Sequence, residues 1–244
     1  MKLNKLLHSF WRKLVYFVGD IRRLNCFPWV TWDVHQHDIS FEEALEALKY
    51  TDAGYVGLHR DKGFLSNLTI PGMFKHAFFF LDKEMVVEAI SEGVVKRHAL
   101  YPVVSDYVII LKPKDVTSEE TQRAVNKANS IVGCQYDVDF QFDIENEVRL
   151  FEQEDKDSIK ENLVKWDGGF SCTETCQFCW YHLKDKLRLY RSKHMGKMAI
   201  IADDFINNGF EIVWLSSNVT VDAAIKMKLS EQGIEMIKEY WEKL

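Results

Sequence analysis

The chain has 244 residues, 37 acidic against 31 basic, a formal charge of −6 and 47% hydrophobic side chains. An acidic balance with no basic run argues against a dedicated nucleic-acid binder, and 16 Phe, 9 Tyr and 7 Trp exclude a disordered chain. No apolar run approaches the roughly 20 residues of a membrane-spanning helix. Three of the five cysteines, Cys172, Cys176 and Cys179, crowd together, and the odd count does not fit a secreted disulfide framework. Lys5, His8, Arg12 and Lys13 interrupt the apolar amino terminus, so no secretory signal is expected. The expected compartment is reducing and cytoplasmic.

In chain order, residues 3–18 place Leu3, Leu6, Leu7, Phe10, Leu14 and Phe17 at helical spacing with basic residues between. This amphipathic helix either packs on the domain or makes peripheral contact with an anionic membrane. His35 and His37 form a His-x-His pair in the segment that follows, a surface feature unless further ligands converge on it. Ser40 and Glu43 resemble a capping box opening a helix over 41–50. Tyr55 to Leu58 reads as a strand, Phe74 to Leu81 as a strongly apolar one, and Met85 to Ile90 as its return in a hairpin. A further strand covers Tyr107 to Leu111, stopped by Pro113. Thr117 and Glu120 cap a helix reaching Val132, with Gly133 as its stop. Residues 139–161 carry nine acidic and three basic side chains and read as a solvated insertion. A helix from Cys172 to Lys186, short apolar segments at Ile200 to Ala202 and Phe210 to Trp214, and a helix over 228–243 complete the pattern. Strands and helices mix without regular alternation, which predicts an α+β fold. The expected organisation is a helical extension (1–50), a main domain (51–218) with an insertion over 139–166, and a carboxy-terminal helix (219–244).

Phe170-Ser171-Cys172-Thr173-Glu174 concentrates the chemistry. Ser171 and Glu174 form a capping box that sets Cys172 at the first helical position. Unpaired amides and the helix dipole favour a thiolate there, and the same amides can bind an oxyanion. A thiolate nucleophile needs a base, and the base needs an orienting group. His76 opens an apolar strand, and Glu88 interrupts the apolar return strand; both are polar groups that need partners. If Leu81 to Lys83 form a three-residue loop, His76 falls directly opposite Glu88; a two-residue loop points Glu88 to the other face. Each feature alone also fits an inert structural residue.

From Ala53 to Leu215 the order of these motifs resembles the permuted papain-like cysteine hydrolases of the NlpC/P60 superfamily, YaeF/YiiX-like branch. Gly72-Met73-Phe74-Lys75-His76-Ala77 resembles that family's histidine strand, and Val87-Glu88-Ala89 with Gly93-Val94 the element after it. Gly133 with Tyr136-Asp137, Ser171-Cys172-Thr173-Glu174 and Asp203-Asp204-Phe205 resemble the later motifs. Ala53-Gly54 departs from the family's Gly-Asp pair, and Thr173 from its usual Ser. The resemblance implies a circularly permuted papain-like fold and an amidase or peptidase-like hydrolase. It implies Cys172 as nucleophile, His76 as base and Glu88 as orienter.

Other readings share the same residues. The substrate could be a lipid ester or thioester, or the domain could be an inactive binding module. Cys172, Cys176 and Cys179, with His182 added, could instead hold zinc or an iron–sulfur cluster. Against that, residues 172, 176, 179 and 183 form one helical stripe ending in Leu183, as expected of core residues. No metal and no cofactor is therefore expected.

Overall fold

The computed structural model describes residues 37–64, 67, 70–137, 169–194 and 197–244. The expected helix over 3–18, His35 and the acidic insertion lie outside these residues. The described chain is α+β. A six-stranded antiparallel sheet runs in the order β4-β3-β2-β1-β5-β8. Its strands are β1 (Val56–Arg60), β2 (His76–Phe80), β3 (Met85–Ile90), β4 (Gly93–His98), β5 (Tyr107–Pro113) and β8 (Phe210–Leu215). A small hairpin, β6 (Ser192–His194) with β7 (Lys197–Ala199), stands apart from it.

Strand alternation sorts the sheet into two faces, each with its own apolar cluster. Val56, Leu58, Ala77, Phe79, Val87 and Ala89 point to one face. There they meet α3 (Ser118–Ser130), α4 (Cys172–Trp180), α5 (Val221–Lys226) and α6 (Glu231–Glu242) through residues such as Ala124, Cys176, Ala224 and Ile237. Phe78, Phe80, Val86, Val108 and Ile110 point the other way. They are covered by Ala44 and Ala47 of α1 (Phe41–Ala47) and Val103 of α2 (Leu100–Val103). Each large side chain buried this way contributes about 1.5–3 kcal/mol. The two helical layers hold the sheet from both sides.

Several elements differ from the sequence reading for local reasons. Ser40 accepts the N–H of Glu43 at 3.1 Å, but the Glu43 carboxylate turns away to accept the N–H of Ser217 at 2.8 Å. The reciprocal half of that capping box is absent. The helix expected to reach Lys186 leaves α geometry after Trp180 and tightens into a 3-10 turn at Tyr181–Leu183. The helix placed over 228–243 is preceded by a separate one, α5, and begins only at Glu231, where Ser230 caps it.

The β2–β3 hairpin carries the most consequential correction. Its loop is Asp82-Lys83-Glu84 rather than Leu81-Asp82-Lys83, because Leu81 N–H bonds Met85 O at 2.8 Å. The Asp82 side chain accepts the N–H groups of Glu84 and Met85, both at 2.8 Å, and so builds the turn. Phe79 therefore pairs with Val87, a register shifted two residues along β3 from the expected one. An even shift preserves the face. His76 and Glu88 remain on the same side, but as diagonal neighbours.

Candidate active site

The site forms where β2 and β3 separate. Ladder pairing between them covers Phe79 with Val87 and Phe80 with Val86, and stops short of His76. Helix α4 packs against both strands near this open end. Ser171 caps it through the complete capping box: Glu174 N–H reaches Ser171 Oγ at 3.4 Å, and Ser171 N–H reaches Glu174 Oε2 at 3.0 Å. Cys172 is thus the first helical residue, 7% exposed, as the motif predicts. Its thiol receives the backbone N–H groups of Ala77 and Thr173 and pairs with the His76 ring.

His76 Nε2 lies 2.6 Å from Glu88 Oε2, which leaves Nδ1 as the ring nitrogen for the thiol. Diagonal strand neighbours stand farther apart than direct ones, and the length of the Glu side chain spans the gap. Glu88 has no exposed surface; its second oxygen, Oε1, accepts Arg97 Nε–H. The Arg97 guanidinium in turn lies 5.3 Å from the Tyr101 ring centroid. Arg97 comes from β4, which pairs with β3 so that Val86 faces Arg97 and Glu88 faces Val95.

The electrostatics follow from these contacts. Burial alone would raise the Glu88 pKa, yet His76 and Arg97 hold it down to about 2. Burial would also lower that of His76, but the Cys172 sulfur and the Glu88 carboxylate lift it well above the ordinary imidazole range. Burial would raise the Cys172 thiol; the His76 charge and two backbone N–H groups bring it below its ordinary value. The arrangement favours a thiolate beside an imidazolium. Such a pair can attack a carbonyl carbon and protonate the group that leaves.

No family model, curated protein or solved structure matches the chain. All three expected residues, Cys172, His76 and Glu88, converge in the site. The alternative metal set does not: among the described residues, no three or more of Cys172, Cys176, Cys179 and His182 form a ligating group. Cys176 and Cys179 have no exposed surface, and His182 stacks on Trp180 with centroids 5.9 Å apart. Burial pushes the Cys176 thiol well above its ordinary range, as expected of inert core sulfur.

Two neighbours have roles that the sequence reading did not assign: His59, which it passed over, and Asp203, which it named only within a motif. His59 is the direct β-partner of His76, their rings 4.7 Å apart at 61°. Its Nδ1 lies 3.1 Å from Ser105 Oγ, which lies 2.5 Å from Asp61 Oδ1. Burial first, then the charge of His76, lowers His59 to about 4, so it is neutral beside the imidazolium. Asp203, in the 3-10 turn Ala202–Phe205, accepts the N–H groups of Met73 and Phe74 at 2.6 and 2.8 Å. It anchors the approach to β2. Gly72 is required there: its φ is +91°, and a Cβ would lie 2.4 Å from Asp203 Oδ2.

Proposed function

We propose that the protein is a thiol-dependent hydrolase of the permuted papain-like type, acting on amide bonds through an acyl-enzyme on Cys172. The observation that carries this reading is the continuous line Cys172–His76–Glu88–Arg97, in which each group fixes the charge of the next. The Cys172 thiolate attacks the carbonyl carbon, and the first-turn amides of α4 receive the developing oxyanion. His76 gives its Nδ1 proton to the departing amine, leaving a thioester. Neutral His76 then takes a proton from water as the hydroxide attacks the thioester carbonyl. Collapse expels the thiolate and releases the acid. Glu88 keeps the ring oriented throughout, and Arg97 keeps Glu88 ionised.

A base-bearing strand that precedes the cysteine helix in the chain supports the permuted arrangement. Intact-mass analysis with peptide amides, cell-wall fragments, acyl lipids and thioesters tests the reading. The expected result is an acyl adduct on Cys172 with amides, absent in Cys172→Ala. Adducts only from lipid esters or thioesters would move the substrate class. No adduct from any member, with alkylation of Cys172 no faster than that of an ordinary thiol, would leave a binding module.

A further inference from the structure

We propose that His59, His76 and Glu88 form a binding site for a divalent transition cation of the zinc class, and that its occupation stops proton transfer by His76. One ligating atom from each residue, a ring nitrogen or a carboxylate oxygen, lies within 4.8 Å of the other two. Two histidines and one carboxylate around an open position are a donor set suited to zinc.

The tautomer of His59 follows from its hydrogen bonds. Asp61 presents a carboxylate to Ser105, and a carboxylate can only accept. Ser105 therefore gives its single proton to Asp61 across 2.5 Å, and its oxygen accepts from His59 Nδ1. His59 thus carries its proton on Nδ1 and a lone pair on Nε2, with the side chain 16% exposed. A metal-bound histidine characteristically donates its second nitrogen in this way, which fixes the ring and strengthens it as a donor. Glu88 is prepared similarly. Arg97 occupies Oε1 and leaves Oε2 facing His76.

Tetrahedral ligands at about 2.0–2.2 Å from zinc lie about 3.4 Å from one another. The His76–Glu88 contact of 2.6 Å must open slightly, and the other separations, none above 4.8 Å, must close by at most about 1.4 Å, within reach of side-chain rotation. The His76 Nε2 proton passes to water as the cation takes its place. A second cluster, His37 with Asp61 and Asp106, is less suited. Its Asp106 oxygens already accept the backbone N–H groups of Asp38 and Lys62.

The loss of acyl transfer rests on the proposed function of the Cys172–His76 pair; the binding itself does not. Zinc chloride is titrated against a chromophoric chelator with wild type, Cys172→Ala, His59→Phe, Ser105→Ala and His37→Ala. Wild type, Cys172→Ala and His37→Ala should each bind one zinc ion per chain. Phe keeps the packing against His76, so His59→Phe should bind at least about 30-fold more weakly. Ser105→Ala keeps all three ligands and should bind about 10-fold more weakly. Zinc should also slow acyl transfer to and from Cys172 in wild type, and far less in His59→Phe. Failure of wild type to bind, retention of affinity in both His59→Phe and Ser105→Ala, or loss in Cys172→Ala or His37→Ala would overturn the site. Adduct formation in chelated wild type tests the hydrolase reading separately.

Discussion

The Asp82 carboxylate accepts the backbone N–H of Met85 at 2.8 Å, and this contact sets the register by which Glu88 reaches His76. Had the loop begun one residue earlier, as the sequence reading has it, the two would stand directly opposite. With Asp82 as the turn-forming residue they meet diagonally, and Glu88 gains room for Arg97 on its other oxygen. A turn built by one side chain thus determines how a distant carboxylate is neutralised.

Thiol reactivity should single out Cys172. Limited iodoacetamide labelling near pH 7, read by peptide mapping, should modify it before Cys134, while Cys176 and Cys179 react only on unfolding. His76 holds the Cys172 pKa down, so its thiolate persists to lower pH than an ordinary thiol. In His76→Ala only burial and the backbone N–H groups remain. The midpoint of the alkylation profile should then rise by more than about one pH unit, a cost of about 1.4 kcal/mol or more to the thiolate. An unchanged profile would remove His76 as its partner.

Glu88→Gln should lower turnover by about 10- to 100-fold while leaving the Cys172 side chain in place. It should also cost about 2 kcal/mol in urea unfolding, less than a fully buried pair, because Arg97 is 32% and His76 19% exposed. The folded pKa of Glu88 lies near 2, below its ordinary value of 4.5, so its stabilising contribution is present above about pH 4.5. That contribution is lost as pH falls toward 2. Wild type should therefore lose its advantage over Glu88→Gln between those values.

Gly72→Ala should destabilise the fold by roughly 2–4 kcal/mol, through positive φ and the clash with Asp203. Thermal unfolding measures it. Asp203→Ala should cost a similar amount, because two buried N–H groups lose their acceptor. Both changes should reduce acyl transfer beyond their effect on the folded fraction, since both loosen the approach to His76.

Any bound zinc should be independent of the cysteine stripe. Cys176→Ala should leave metal content unchanged in elemental analysis and cost about 1–2 kcal/mol as a small cavity. Stoichiometric metal lost in this variant would contradict the assignment of Cys176 to the core.

The nucleophile's position was legible because Ser171 and Glu174, three residues apart, state a helix start in local chemistry alone. The common face of His76 and Glu88 was legible because strand parity survives an even shift of register. Tertiary context decided the rest. His59 lies just past the strand end expected at Leu58, where His-Arg reads as a loop; pairing with His76 on one side and with Val108 and Tyr107 of β5 on the other extends β1 that far. Strand β4 hides behind Lys96, Arg97 and His98, whose charges look solvated until Glu88 is placed beside Arg97.

Where β2 and β3 part, the backbone N–H of Ala77 turns to the Cys172 sulfur. Sulfur, imidazole and carboxylate therefore come from three elements that no short stretch of chain can bring together. While the polypeptide is being made, and whenever it unfolds, Cys172 is an ordinary thiol. Its acidity appears only when α4 docks on the finished hairpin, so reactivity at Cys172 reports native assembly.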